Sequence, residues 1–259
     1  MTRRAQRPVH LLIDADVIVY KTAIVSHDDF GFGEYLDRDR VVRLIDEEID
    51  QLVRKLKADD FDVCTSDRSG PTFRHDLADY YKAKRGEKPA LWMFAREYLE
   101  NTYDPICWPR LEGDDVLGIL ATDPEYKPDH RKVIVSIDKD MQTIPGLLFN
   151  PLKDKRPRRI KPLQADLFWV WQALVGDTVD NYPGIRRVGP KSQYAADILA
   201  STSLEQALGH LYVAAIARGA SSEHVLEQLR LARILRHGEY DKKTQEVQLF
   251  TDDPPVAPL

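Results

Sequence analysis

The amino-acid sequence predicts an α/β fold, with a mainly parallel sheet flanked by helices and a helical second half. Two observations predict it. Short apolar runs, typical of buried parallel strands, stand directly before Asp14, Asp67 and Asp138. Helical patterns alternate with these runs in the first part of the chain, and from about residue 163 onward the pattern is helical only.

The elements of the first half follow from the spacing of apolar residues. Residues 9–14 form the first predicted strand. Residues 38–57 form a predicted helix, because apolar side chains recur on one helical face. That face consists of Val41, Ile45, Ile49, Leu52, Val53 and Leu56. The next predicted elements are a strand at 61–65, a partly helical segment at 73–85, a helix at 91–101, a short strand at 106–108 and a helix at 114–121.

The second half begins with the clearest strand pattern, KVIVSI at 132–137. Residues 147–149 and 158–163 are expected to form a short strand pair. An apolar helix follows at 163–175, and helix, loop and helix then continue to about residue 237. The segment 241–259 is expected to be a tail.

Bulk composition limits the classes of protein that this chain can represent. It has 259 residues and a formal charge of −5, from 37 basic and 42 acidic side chains. Such a balance argues against a nucleic-acid binder, but basic residues cluster at 82–88 and 153–161. Cys64 and Cys107 are expected to be buried free thiols. Because the start MTRRAQRP lacks an apolar core and no run reaches about 18 apolar residues, we expect a soluble, cytoplasmic protein.

Acidic residues gather where the predicted strands end. Ligands of parallel sheets bind beyond the carboxyl ends of the strands, so these carboxylates are expected to converge. Without cations they would repel one another, and the hard ions Mg²⁺ and Mn²⁺ prefer oxygen ligands. The nine candidates are Asp14, Asp67, Glu112, Asp114, Asp115, Asp138, Asp140, Asp177 and Asp180.

Each group of acids also has a purely structural interpretation. Acids at residues 112–115 could cap a helix; either that helix begins after Glu112, or the acids there serve different metals. Asp16 is the expected N-cap of the first helix. Asp138 and Asp140 can share a site only if the chain bends locally, whereas Asp177 and Asp180 stand one helical turn apart.

Two further segments carry groups that suit phosphates. In GIRRVGPK (184–191), a glycine-bearing turn before a helix exposes backbone N–H groups. In the segment 73–85, Tyr81, Lys82 and Arg85 could contact a base and a phosphate. The alternatives are a plain connector and a solvated basic face, and the run 153–161 is either a solvated hairpin or a DNA-backbone contact. The sequence shows neither zinc-ligand spacing nor a glycine-rich nucleotide loop.

In combination, the strings LEGDDVLGILAT, VSIDKDMQTIPG, GDTVDNYPGIRRVGPK and RLARILRHGEY resemble the 5′ nuclease, or flap endonuclease, family. The resemblance covers residues 9–240 and is strongest to its short-tailed phage branch of 5′-to-3′ exonucleases. It implies a twisted sheet between helices, with a helix–three-turn–helix module that grips duplex DNA. The chain departs from the family pattern in the short span 86–111 and in Arg186 and Arg187.

The resemblance also implies roles for individual residues. A first Mg²⁺ or Mn²⁺ ion would use Asp14, Asp67, Glu112, Asp114 and Asp115, and a second would use Asp138, Asp140, Asp177 and Asp180. Lys82 and Arg85 match the basic pair of the active-site helix. Contacts to DNA would come from Arg74, Tyr81, Lys82, Arg85, Gly184, Gly189 and Lys191. The turn 184–191 could also bind K⁺ through backbone carbonyls.

The implied domains are a nuclease core at 8–175, with a short arch at about 73–105, and the helical module at 176–240. The implied activity is 5′-to-3′ hydrolysis of duplex DNA and of RNA primers on DNA, with possible flap cleavage. Expected partners are DNA with 5′ ends, nicks or flaps, RNA–DNA hybrids and replication proteins, in the cytoplasm of a phage-infected bacterium. The alternatives are a non-catalytic DNA-end binder and a ribonuclease with a similar acid-lined sheet.

Overall fold

A computed structural model of the protein describes residues 7–29 and 34–252. Its strands are β1 (Val9–Asp14), β2 (His27–Asp29), β3 (Glu34–Leu36), β4 (Asp60–Cys64), β5 (Arg131–Val135), β6 (Gly146–Phe149), β7 (Arg158–Ile160), β8 (Tyr240–Asp241) and β9 (Glu246–Val247). Its helices are α1 (Ala15–Val25), α2 (Arg38–Leu56), α3 (Phe73–Leu77), α4 (Trp92–Tyr103), α5 (Gly113–Thr122), α6 (Pro162–Val175), α7 (Gln193–Ala200), α8 (Leu204–Ala217) and α9 (Ser222–Ala232). A short 3-10 helix spans Lys139–Thr143.

The central sheet has five strands in the order β4-β1-β5-β6-β7. Its first four strands are parallel, and β7 pairs antiparallel with β6. Leu11 and Ile13 of β1 pack with α1, α2 and α4, whereas Leu12 packs on the other face with α5. Burial on both faces explains why β1 is an uninterrupted apolar run, and the predicted mainly parallel α/β fold is confirmed.

Helices α6 to α9 form a second packed layer around Trp169, whose indole N–H donates to the carbonyl of Leu229 at 2.8 Å. Tyr81 and Tyr182 belong to the same apolar cluster, so the segment after α3 and the loop after α6 both pack against this layer. The helical half therefore packs directly against the segment that follows α3.

Several elements differ from expectation where strands are very short. Residues 106–108 make only an isolated bridge from Ile106 to Cys64, so Cys107 is exposed rather than buried, although both thiols are free. Part of the expected tail forms the β8–β9 hairpin, and Phe250 packs edge-on against Trp169 with ring centroids 4.9 Å apart. The rest of the tail, 253–259, lies outside the described residues. Within the described ranges, no helix is long and apolar enough to cross a membrane.

Candidate metal and nucleic-acid site

The carboxyl ends of β1 and β5 are neighbours in the sheet, and an acidic residue lies at or just beyond each: Asp14 is the last residue of β1, and Asp138 stands three residues after β5. Asp14 ends β1 and caps α1, since its carboxylate accepts the Val17 N–H at 3.3 Å. Ser136 follows β5 and donates its hydroxyl to Asp14 at 2.6 Å, while its oxygen accepts the N–H of Asp138 at 3.0 Å. Ser136 thus joins the two acids, a role that its sequence position did not reveal.

The expected capping role of Asp16 is wrong, because Asp14 occupies the N-cap position. Asp16 lies in the first turn and accepts hydrogen bonds from the backbone N–H of Ser66 at 2.8 Å and from Arg96 at 2.7 Å. Both donors belong to segments that border β1. Asp16 therefore ties these segments together at the edge of the sheet.

Asp114 adds a third carboxylate beside Asp14 and Asp138. Helix α5 begins at Gly113, directly after Glu112, which places Asp114 in its first turn. Burial is the largest cause that raises the pKa of Asp114 well above its usual range, and the negative charges of Asp14 and Asp138 raise it further. Burial, followed by Asp16, raises the pKa of Asp14 to about 7. These carboxylates therefore lie close together, buried or half-buried, without enough positive charge to offset their own.

A second group of acids surrounds Asp140, and the predicted local bend is the 3-10 helix. Asp138 caps this helix by accepting the N–H of Asp140 at 2.8 Å. Lys139 bridges Asp140 at 2.7 Å and Asp177 at 2.5 Å. Gln172 of α6 donates to the Asp140 carboxylate at 2.5 Å. Burial, then the charge of Asp138, raises the pKa of Asp140 to about 6.

Asp177 and Asp180 do not lie on one helical turn, because α6 ends at Val175. The Asp177 carboxylate accepts the N–H groups of Val179 at 2.7 Å and of Asp180 at 3.2 Å, so the chain turns sharply. Asp177 consequently faces Lys139, whereas Asp180 accepts a hydrogen bond from Arg85 at 2.9 Å.

Basic residues from the segment after α3 reach the acids from the other side. The Lys82 ammonium contacts Glu112 and lies 3.6 Å from Asp180. Although burial acts in the opposite direction, Lys82 and Arg74 lower the pKa of Glu112 to about 2. Lys82 is largely buried, whereas the Arg85 side chain is 56% exposed. Arg85 is therefore open to solvent although it is paired with Asp180.

The two acidic groups meet at one small cavity. Glu112 and Asp114 from the sheet half line it together with Asp140, and Asp180 and Tyr182 come from the loop after α6. Because this cavity collects residues far apart in sequence, only the folded chain creates it.

Two predicted metal ligands do not join this cluster. Asp115 is fully buried and accepts two hydrogen bonds from Arg74, at 2.7 and 2.8 Å. Asp67 accepts the backbone N–H groups of Ser69 at 2.9 Å and of Arg110 at 2.7 Å. Protein donors thus satisfy both carboxylates, and they hold local structure instead of facing the cavity.

Three predicted DNA contacts are also engaged within the protein. Arg74 is buried. Its guanidinium binds Asp115, and its Nε donates to the carbonyl of Leu231 at 3.1 Å. The Tyr81 hydroxyl lies 2.9 Å from Glu112 and is buried, so its ring cannot stack on a base. The N–H of Gly184 donates to Gln228 at 2.8 Å. Gly189 and Lys191, by contrast, are exposed.

The donor set fits divalent cations. Among residues 7–29 and 34–252, no three histidine, cysteine, aspartate or glutamate side chains are already arranged so that they could hold a metal ion. However, Asp14 is buried and Asp114 and Asp140 are half-buried, all three have raised pKa values, and hard oxygen-binding ions would relieve their repulsion. Acids that suit cations, beside basic side chains that suit a phosphate, are the groups that hydrolysis of a phosphodiester requires.

Comparison with known proteins identifies the family. A profile of the 5′-3′ exonuclease N-terminal, resolvase-like domain matches residues 10–147, which is more than half of the chain. The chain therefore belongs to the 5′-3′ exonuclease family and is a nuclease by class.

Individual relatives extend the similarity along the chain. An exodeoxyribonuclease of Enterobacteria phage T3 is 25% identical, over 93% of this chain and 92% of that protein. An exonuclease of Escherichia phage T7 is 24% identical over the same shares. A thermostable DNA polymerase I of Thermus caldophilus is 28% identical over 70% of this chain, which corresponds to 23% of the polymerase.

Solved structures of a phage T5 nuclease share the fold. One, co-crystallised with metal ions, has a TM-score of 0.55 at 15% identity and covers 86% of this chain and 99% of its own. Another is a flap endonuclease variant in a pseudo-enzyme–product complex with DNA and metal ions, with a TM-score of 0.53. It covers 86% of this chain and 98% of its own, at 15% identity.

Proposed function

We propose that the chain is a metal-dependent 5′-to-3′ exonuclease that hydrolyses phosphodiester bonds at 5′ ends in duplex DNA, with accompanying flap endonuclease activity. One observation carries this proposal. Acids from both halves of the chain line a single cavity, and Lys82 and Arg85 stand beside them. Phage exonucleases are similar over nearly the whole chain, and a related T5 structure contains DNA and metal ions.

Two divalent cations, Mg²⁺ or Mn²⁺, would suit the two acidic groups. The first would be held by Asp14, Glu112, Asp114 and Asp138, and the second by Asp140, Asp177 and Asp180. When bound, such ions lower the pKa of a water molecule and stabilise the departing oxygen.

Lys82 and Arg85 would neutralise the phosphate. Each is paired with an acid of the cavity, Lys82 with Glu112 and Arg85 with Asp180. When a cation takes over those carboxylates, both basic groups become available for the reacting phosphate. Fixed positive charge placed where negative charge develops lowers the barrier of such reactions.

Duplex DNA would be gripped by exposed groups outside the cavity. Lys84, Arg85 and Lys88 are exposed in the segment after α3. In the turn 184–191, Arg186, Gly189 and Lys191 are exposed; its carbonyls could also hold K⁺. Binding to the phosphate backbone by such groups is independent of base sequence.

The hairpin after β6 offers a further basic surface. It leaves the sheet at the same edge as the acids, and Asn150 donates to the carbonyl of Ile137 at 3.1 Å. Lys153, Lys155 and Arg156 are exposed on it. Because the hairpin lies at this edge of the sheet, we choose a DNA-backbone contact over a solvated hairpin. We also propose that the enzyme cleaves RNA primers annealed to DNA. It would act with replication proteins in the cytoplasm of an infected bacterium.

The test is digestion of one blunt duplex that carries a different label on each end of one strand. With Mg²⁺, we expect the 5′ label to be released first, as short products with 5′ phosphates, and no digestion in EDTA. Release of the 3′ label first, or equal digestion in EDTA, would contradict the proposal. Mn²⁺ in place of Mg²⁺ should restore activity after EDTA treatment.

A further inference from the structure

Two buried polar atoms near Asp140 have no hydrogen-bond partner among the described residues. They are Oε1 of Gln172 and the hydroxyl of Tyr182. Gln172 is 1% exposed and Tyr182 is 3% exposed. An unsatisfied buried polar group costs about 1–3 kcal/mol, so each such atom in a native fold calls for a reason.

Gln172 is fixed in orientation by its one hydrogen bond. Its Nε2 donates to the Asp140 carboxylate at 2.5 Å. Turning the amide over would place Oε1 against a carboxylate oxygen, and two acceptors repel. Gln172 therefore presents Oε1 as a free acceptor beside Asp140.

Tyr182 is held just as firmly, but by its backbone. Its N–H and carbonyl exchange hydrogen bonds with Asp177, at 3.0 and 2.9 Å. Its ring lines the cavity that also contains Asp140 and Asp180. A phenol hydroxyl can both donate and accept a hydrogen bond, so this one can pair with a water molecule in the cavity.

A neighbouring tyrosine shows that the fold can satisfy such a hydroxyl. Tyr81 lines the same cavity, and its hydroxyl lies 2.9 Å from Glu112 and 3.1 Å from Asp180. Buried tyrosine hydroxyls usually find a partner in this way. The Tyr182 hydroxyl, which belongs to the lining of the same cavity, lacks such a partner among the described residues.

We propose that Gln172 and Tyr182 are positioning residues for the divalent cation at Asp140, and that their unpaired atoms hydrogen-bond its hydration shell. The inference rests on the proposed function, which supplies the cation. Mg²⁺ keeps several of its waters when it binds to proteins. Groups that hydrogen-bond the ligands of a metal from outside commonly change its affinity about 10- to 100-fold.

The experiment measures Mn²⁺ binding without DNA, by titration calorimetry, together with melting temperatures in EDTA and in Mn²⁺. Tyr182→Phe removes only the hydroxyl and keeps the ring packed. Tyr212→Phe on α8 is the matched control, because the Tyr212 hydroxyl already has a partner, Asp252. Gln172→Met is a second variant that removes the acceptor by another route, and Asp140→Asn marks complete loss of the ligand.

We expect Tyr182→Phe to weaken Mn²⁺ binding about tenfold. Its melting temperature in EDTA should equal or exceed that of the wild type, because an unsatisfied hydroxyl is lost, and its rise on adding Mn²⁺ should be smaller. Tyr212→Phe should bind Mn²⁺ like the wild type, and Gln172→Met should bind it more weakly.

The inference is overturned if Tyr182→Phe and Gln172→Met bind Mn²⁺ like the wild type while Asp140→Asn binds it poorly. It is also overturned if Tyr182→Phe melts lower in EDTA with an unchanged rise in Mn²⁺, since the hydroxyl would then be purely structural. Failure of the wild type to bind Mn²⁺ would instead overturn the proposed function, and this inference with it.

Discussion

At the scale of single residues, hydrogen-bond donors within the protein decide which carboxylates remain available to a cation. Backbone donors and a serine hydroxyl outweigh burial and lower the pKa of Asp67, and Arg74 engages Asp115. Asp14, Asp114 and Asp140 receive too little such compensation, and burial raises their pKa values. Asp67 and Asp115 therefore hold the fold, whereas Asp14, Asp114 and Asp140 are the carboxylates with the least compensation.

Asp115→Asn separates these two roles. Removing one partner of a buried ion pair leaves Arg74 poorly compensated, and we expect the free energy of unfolding to fall by about 3 kcal/mol. Mn²⁺ affinity should change less than threefold. Urea denaturation and calorimetry measure the two quantities. Unchanged stability with lost Mn²⁺ binding would show that Asp115 is a metal ligand after all.

The raised pKa values of Asp14, about 7, and Asp140, about 6, predict how the stability of the metal-free protein depends on pH. The folded state holds these protons more tightly than the unfolded state, whose carboxyl pKa is about 3.9. Their stabilising contribution is complete below pH 3.8 and is lost as the pH rises through 6 and 7.

We therefore expect the melting temperature in EDTA to fall between pH 5 and pH 8, and saturating Mg²⁺ to abolish most of that fall. Asp14→Asn should make the fall in EDTA shallower, because one of the two raised groups is gone. A melting temperature in EDTA that is constant or rises over this range would contradict the assignment of these carboxylates.

The sequence could identify the acids at strand ends but not the partners that satisfy some of them. Asp14, Asp138 and Asp140 follow apolar runs, which is a local signal. The carbonyls that fix Arg74 lie more than 150 residues away in the chain, so only tertiary structure shows that Arg74 is buried. Gln172 leaves a weak signal, a polar residue on an apolar helix, whereas Tyr182 leaves none.

At the scale of elements, long periodic segments were predictable and very short ones were not. The apolar face of α2 and the strands β1 and β5 follow from periodicity alone. The 3-10 helix and the β8–β9 hairpin depend on tertiary partners, because so few residues cannot be stable by themselves. The sequence predicted that α4 is a helix, but it could not predict that α4 packs against α1 and α2.

The packing of α4 bears on how DNA enters. Ala95 and Leu99 of α4 are fully buried in the cluster formed with α1 and α2. Phe73 and Tyr81 are buried as well, so the stretch 73–105 packs on the core instead of arching above it. Within this part of the described chain, the longest run of exposed residues is 83–88. We infer an open entrance to the cavity.

An open entrance predicts a preference for nicks and for recessed or blunt 5′ ends over long 5′ flaps. A bulky protein block at the tip of a flap should reduce cleavage little, because no strand has to pass beneath a helix. Cleavage rates for a nick, a free flap and a blocked flap measure this. Complete loss of cleavage on blocking, with the nick cut more slowly than the free flap, would show that the flap is threaded.

At the scale of the whole molecule, the site exists only where two halves of the chain meet. Asp14, Asp114 and Asp138 come from the sheet half, whereas Asp177 and Asp180 follow the first helix of the helical half. Lys139 contacts Asp177 across this junction at 2.5 Å. Metal binding should therefore couple the two halves, since a cation shared by their carboxylates stabilises only the assembled state.

The most direct test of the central claim compares Asp140→Asn with the wild type on a 5′-labelled duplex in Mg²⁺. Asp60→Asn is the matched control, because Asp60 is the first residue of β4. It therefore lies at the amino ends of the parallel strands, away from the acids at their carboxyl ends. Losing a metal ligand removes several kcal/mol of transition-state stabilisation, so we predict a single-turnover rate at least about 100-fold lower. Affinity for DNA should change less than threefold, and Asp60→Asn should cleave like the wild type. A near wild-type rate for Asp140→Asn in Mg²⁺ would contradict the account.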